Sequence, residues 1–468
     1  MREGPTAPAM SEALSGPARG HVLARGWGLY LLLVAVLVAF VAPSEMSRSQ
    51  VVYVDLLNVA AVAVFMVAVL IYRIPVKLHF ALPVLLILAG TAFAFTNATS
   101  VMGCALVVAK EAYLYIWFLV LVTLMRARGD LKGIRFVWLW TALLIALVVV
   151  VQVVGRSGFS PGDLFNREVG REKGTFANEN MFVDYLMFSI FILLGFAGQV
   201  RWLFLVPSLV VLLVAVLTTK SNGGLVSLVA GLMTWVLVLV WARTVRRARL
   251  VGGLAFGLAV AVVAVWFLAE SGLGYRLIGR GAQRVVERME MSADTRGIIR
   301  QKLVENWMRT PMGIGPGGSA FDGLPTGGVV HEDPRGFKAK LVYRRLRPHN
   351  DYLGYLVERG PLALLGLLLC MGQAFAMVLR SRRRLSNLVG GARAGDALWA
   401  AFLGALVATS VHSLVIDKLH FRHFWLFLAI LTAMTSCEAT VKRTAFAPAS
   451  RRAPDPADEA SLAPEPQG

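Results

Sequence analysis

Residues 202–218 read WLFLVPSLVVLLVAVLT, an apolar run held between Arg201 and Lys220. About 20 such residues wind into a helix that crosses the ~30 Å hydrocarbon layer of a bilayer. Eleven further runs of this character stand near 26–43, 51–72, 79–96, 101–124, 136–154, 181–199, 224–242, 250–269, 360–379, 397–416 and 423–438. The composition agrees: 57% of the 468 residues are hydrophobic and 16% charged, and the mean hydropathy is +0.65. Soluble globular chains of this length carry less apolar and more charged material. The chain therefore reads as an all-α integral membrane protein of about twelve transmembrane helices.

The net charge of +19 is distributed by side. Arg73/Lys77, Arg126/Arg128/Lys132/Arg135, Arg201, Arg243/Arg246/Arg247/Arg249, Arg380/Arg382/Arg383/Arg384/Arg393 and Lys442/Arg443 fall on every second short connection. Positive charge in short loops marks the cytoplasmic side, so these loops and both termini are expected there. Residues 1–20 and 441–468 read as disordered cytoplasmic tails, 21–269 as transmembrane helices one to nine, 270–359 as a helical outward loop, and 360–440 as helices ten to twelve. The first helix lacks a cleavage signature and is read as retained. Cys104, Cys370 and Cys437 are far apart and show neither disulfide nor metal spacing.

Two outward connections are long and basic: 155–180, with Arg156, Arg167, Arg171 and Lys173, and 270–359, with over a dozen Lys and Arg. Long loops translocate regardless of charge, so the topology stands. An anionic lipid-linked substrate gives this charge a purpose; attraction to lipid headgroups is the plainer alternative. Within the long loop, Ile298/Ile299, Leu303 and Trp307 are spaced for one helical face. Asp294 would cap that helix, and Arg296 and Arg300 would lie one turn apart on it, able to converge on one ligand. The turn Gly313-Ile314-Gly315-Pro316-Gly317-Gly318 follows a helix and lacks the lysine of a P-loop, so phosphate binding by its backbone is the weaker reading.

Four segments resemble the bacterial O-antigen ligase and O-antigen polymerase superfamily. They are Gly174-Thr175-Phe176-Ala177-Asn178-Glu179-Asn180, Thr219-Lys220-Ser221-Asn222-Gly223-Gly224, Arg296 through Trp307 to Gly317, and His349-Asn350-Asp351-Tyr352 with Gly360 downstream. The family pattern has Ser-Arg-Gly where this chain has Lys220-Ser221-Asn222-Gly223, Pro at the position of Glu179, and Gly, Thr or Tyr at the position of Ala363. The resemblance implies a GT-C-like membrane glycosyltransferase that works without metal or cofactor. Its donor would be a glycan on undecaprenyl diphosphate. Its acceptor would be a sugar hydroxyl of lipid A-core or of a growing glycan, outside the bacterial cytoplasmic (inner) membrane. Partners are then these lipids and the surrounding membrane, with no nucleic acid.

The chemistry sorts the candidates. Breaking the bond from an anomeric carbon to diphosphate needs cations on the leaving group and a base for the incoming hydroxyl. His349 is the candidate base, because an imidazole titrating near ~6.5 suits proton abstraction at neutral pH. Arg296, onto which the resemblance maps directly, is the second catalytic candidate. Arg300, Lys220, Arg171 and Lys173 are candidate phosphate contacts, with a solvated surface role as the alternative for the last two. Asn350 either orients the imidazole or caps the helix that follows. Lys110 lies inside the fourth span, where a charge costs ~2.5–3.5 kcal/mol, and either meets phosphate or pairs with another span. Asp417 is an orienter for His349 or for an arginine. Asp417, His420 and His423 have metal-like spacing, but Lys418 and Arg422 interleave them and no metal is assigned.

The most direct reading is an O-antigen ligase, with a polymerase of the same superfamily as the alternative. A non-catalytic carrier or flippase for lipid-linked glycans also needs outward cations and stays open. No repeat between the halves or paired broken helices speaks for a carrier, and motifs of the shape, elongation, division and sporulation polymerases are not found.

Overall fold

The apolar runs fold as helices whose burial separates a protein-enclosed centre from a lipid-facing ring. The computed structural model describes residues 18–40, 53–98, 100–128, 131–156, 171–242, 299–317, 329–332, 338–341 and 348–436. Eight helices come first: α1 (Ala18–Leu37), α2 (Tyr53–Tyr72), α3 (Ala81–Ala94), α4 (Val101–Arg128), α5 (Lys132–Val154), α6 (Glu179–Gly195), α7 (Trp202–Thr219) and α8 (Asn222–Ala242). After α9 (299–309) come α10 (Asp351–Arg380), α11 (Arg382–Val389), α12 (Ala392–His412) and α13 (Arg422–Ser436). Seven of these helices are long and apolar enough to cross a membrane, and 27–37 and 81–97 are shorter apolar helices. Eleven of the twelve runs read from sequence coincide with helices; the twelfth, 250–269, lies outside the described residues.

Helix α6 is buried at every position from Met181 to Gly195. At 17 residues it spans roughly 25 Å, less than the hydrocarbon layer, yet its neighbours are protein on all sides. Around it pack α12, α7 and α5, while α13 packs on α4. Leu56, Met66 and Leu70 on α2, Leu82 and Leu85 on α3, and Leu237 and Trp241 on α8 project outward instead. A helix apolar on its outer face is stable there only in lipid.

Apolar burial gives little drive between helices in lipid, so close backbone packing takes over. A Cβ on Gly231 of α8 would lie 2.6 Å from the Gly404 oxygen of α12, and one on Gly366 of α10 would lie 2.6 Å from the Pro83 oxygen of α3. These contacts allow α8–α12 and α10–α3, the two most extensive helix pairs, to close.

Two local features depart from the sequence reading. Helix α10 starts at Asp351, nine residues before the expected span, and is broken at Gly360, whose φ of 78° and ψ of 178° are non-helical. The expected helical loop also contains a β-hairpin, with β1 (Val329–Glu332) antiparallel to β2 (Lys338–Leu341) and Val329 opposite Leu341. The fold otherwise is the expected multi-pass helical membrane protein.

Candidate functional site

The motifs meet at one end of the bundle because their asparagines and small residues terminate helices there. Asn178 caps α6 by accepting from the Met181 amide at 2.8 Å, and Asn350 caps α10 by accepting from the Leu353 amide at 2.9 Å. Lys220 ends α7 in the left-handed region, with φ of 52°, and is buried. Ser221 then accepts from the Gly224 amide at 3.2 Å and donates to Asn180 Oδ1 at 2.8 Å. The first two motifs are thus hydrogen-bonded to each other. Arg171 joins them, donating from Nε to the Thr219 oxygen at 3.2 Å and pairing with Glu179. Lys173 is exposed on the same segment.

The turn between α12 and α13, residues 413–421, is the platform for the remaining candidates. A Cβ on Gly223 would fall 2.5 Å from Val415 Cγ2, which sets the start of α8 against this turn. The Leu414 carbonyl accepts from Asn350 Nδ2 at 3.0 Å and from Arg300 Nη2 at 3.2 Å. Arg300 is brought there by α9, whose Ile299 and Leu303 pack with Trp307 against Val357 and Leu353 of α10. That is the apolar face read from sequence. Arg296, one turn earlier, lies outside the described residues.

His349 follows the buried Pro348 and has φ of 43°, a left-handed conformation uncommon outside glycine. Its Nδ1 stands 3.9 Å from Asp417 Oδ1, too long for a hydrogen bond but close enough for the charges to interact. Both side chains are partly exposed, at 49% and 36%. Asn350 spends its oxygen on the cap and an amide proton on Leu414, so its role here is capping.

Below His349 lies a grouping that sequence reasoning missed. Asp184 of α6, wholly buried, accepts from His412 Nδ1 at 2.7 Å, His423 Nε2 at 3.0 Å and Lys418 Nζ at 3.3 Å. Lys418 also donates to Thr409 Oγ1, and its backbone amide donates to Asp351 Oδ1 at 2.9 Å. Burial pulls the Lys418 ammonium below the usual lysine range, and the Asp184 and Asp351 charges oppose that pull. The metal-like spacing of Asp417, His420 and His423 does not bring the three to one ligand: Asp417 turns to His349 and His423 to Asp184. Among the described residues no three His, Cys, Asp or Glu are grouped to hold a metal ion. Asp184 was legible by the rule that singled out Lys110, since it is an ionisable residue inside an apolar run.

The glycine turn is committed to α10. Ile314 donates to the Val357 oxygen at 3.1 Å, Gly315 to the Glu358 oxygen at 3.0 Å, and Gly317 to the Glu358 carboxylate at 2.8 Å. The backbone donors that a phosphate would need are thus taken, in one case by the protein's own anion. Next to them Arg359 pairs through both terminal nitrogens with Glu111 of α4, one contact being 2.5 Å. Lys110 precedes Glu111 on α4, so the charged dipeptide of the fourth span includes one interhelical ion pair.

Residues 207–368 match the O-antigen ligase family model. Over this segment, about a third of the chain, the sequence is similar to the O-antigen ligase family. The matched stretch runs from α7 through the end of Leu368 on α10, and so contains Lys220, Arg296, Arg300, the glycine turn and His349 to Gly360. No curated protein matches the chain significantly. Together with the apolar helices, the match supports a bacterial membrane protein.

Proposed function

We propose that the protein transfers a glycan from undecaprenyl diphosphate to a hydroxyl of lipid A-core, at the outer face of the cytoplasmic membrane. The observation that carries this reading is the convergence of His349, Asp417 and Arg300 on the 413–421 turn, with Lys220 and Arg171 on the adjoining loops. Charge alternation in the short loops supports an outward orientation for this end and a cytoplasmic location for both termini.

In this mechanism His349 removes the proton of the acceptor hydroxyl. The oxygen forms a bond to the anomeric carbon of the donor as the bond from that carbon to the diphosphate oxygen breaks. The electron pair of the broken bond leaves with undecaprenyl diphosphate, and the proton stays on His349 until solvent takes it. Arg296 and Arg300 stabilise the charge on the leaving diphosphate, with Lys220, Arg171 and Lys173 further out and Lys110 at the lipid phosphate. The Asp417 carboxylate favours the imidazolium that forms. Arginine forks supply the charge that a divalent ion supplies in many nucleotide-sugar enzymes, so chelation is expected to leave turnover unchanged.

Arg296→Ala is expected to lose most activity and Arg296→Lys to recover only part, because a point charge replaces a fork. Near-normal activity of the alanine variant removes Arg296 from the site. Surface glycan in a deletion strain discriminates the acceptors: loss of all glycan on lipid A is the ligase outcome, and a single-repeat product is the polymerase outcome. Reporter fusions at 130, 245 and 385 should read as cytoplasmic and fusions within 275–345 as external; a cytoplasmic signal from the latter overturns the orientation.

A further inference from the structure

The turn that carries the candidate site is anchored by a charge that no step above uses. Lys418 is only 1% exposed, and its ammonium contacts Asp184 and Thr409 with the Phe188 and Phe424 rings about it at 6.0 and 5.9 Å. Removing two charges from water costs several kcal/mol per ion, and a well-packed apolar side chain often stabilises as much as a buried pair. Stability alone therefore does not account for a lysine here. An ion pair with hydrogen bonds adds direction, which an apolar contact lacks.

That direction acts at three places in the turn. The Lys418 amide donates to Asp351 Oδ1 at 2.9 Å, and the Asp351 amide donates to the Ser413 oxygen at 2.8 Å. The turn is thereby fastened at Ser413 and at Lys418 to the first residue of α10, two positions after His349. Asp417, bonded directly to Lys418, is the carboxylate that faces His349. Leu414, inside the same closure, supplies the carbonyl shared by Asn350 and Arg300.

We propose that Lys418 is a positioning residue: clamped by Asp184 and Thr409 beneath the site, it fixes the 413–421 turn so that Asp417 stands opposite His349. The proposal rests on the reading of His349 as the base. Without the clamp the turn keeps its backbone but loses the register of the Asp417 carboxylate, and misplacement of about 1 Å in such a group costs on the order of 10²-fold.

The test is a double-mutant cycle on the purified full-length protein, with undecaprenyl-diphosphate-linked glycan as donor and lipid A-core as acceptor. Lys418→Met is expected to lower kcat about 10- to 100-fold, with the donor KM changed little and Lys418→Arg recovering part. In an Asp417→Asn background the same substitution should cost little further, because it acts through Asp417. Losses that multiply independently overturn the proposal, as does wild-type kcat for Lys418→Met. If Lys418→Met does not fold, Asp184→Asn takes its place in the same cycle, and independent losses again overturn it. Absence of transfer by the wild-type protein removes the functional reading and this proposal with it, whereas transfer with independent losses removes this proposal alone.

Discussion

Two pairings of carboxylate with imidazole lie at the same end of the bundle and differ in almost every physical respect. Asp184 is buried with His412, His423 and Lys418, all at 1% exposure or less, and each contact is 2.7–3.3 Å. His349 and Asp417 are partly exposed and 3.9 Å apart. A closed, dry grouping holds its members still and gives up no donor without a large penalty. A loose, wet pair can accept a proton, admit a hydroxyl and tighten when substrate excludes water. We propose that the lower grouping holds the turn and that the upper pair does the chemistry, and the following experiments test that division.

His349→Ala carries the largest expected effect, a ~10²–10⁴-fold loss of turnover at unchanged protein level. Activity of the wild type should also fall with acid as the imidazole protonates, and that limb should be missing from the residual activity of the variant. A purified variant with full turnover would move the chemistry away from the upper pair. Next comes Asp184→Ala, which strands Lys418 as an uncompensated buried charge. The expected loss is about 3–5 kcal/mol of stability, read as a lower melting temperature in detergent. An unaltered melting temperature would mean that the lower cluster does not hold the structure.

Arg300→Ala removes a charge-assisted contact and is expected to lower turnover about 10- to 100-fold, with the lysine variant in between. Equal rates for lysine and arginine would reduce its part to charge alone. Asn350→Ala should be the mildest of the four, costing about 1 kcal/mol of stability for a lost cap. If its turnover fell as far as that of His349→Ala, the asparagine would have to orient the imidazole after all.

The transmembrane frame was legible because hydropathy over 20 residues is a strong signal in lipid. The site was legible in part. Segments around Asn178, Lys220, Arg300 and His349 were readable as motifs, and α9 was readable from Ile299, Leu303 and Trp307. Asn350 was readable as the cap of the helix that follows it, but the apolar span was placed only from 360, because Glu358 and Arg359 resemble loop residues until their partners, Gly317 and Glu111, are known. The glycine turn suggested an anion cradle, and only three-dimensional packing reveals that α10 takes its donors. Asp184 was legible as an ionisable residue inside an apolar run, but its partners lie 228 to 239 residues away. No local pattern encodes such a long-range pairing.

The most direct test of the central claim is the stoichiometry of a reconstituted reaction. Purified protein in liposomes is supplied with undecaprenyl-diphosphate-linked glycan and lipid A-core, and both products are quantified. A glycosyltransferase releases one undecaprenyl diphosphate for each glycan joined to lipid A-core, and His349→Ala releases almost none. Movement of intact donor across the bilayer with neither product formed, at equal rates in wild type and His349→Ala, would contradict the account.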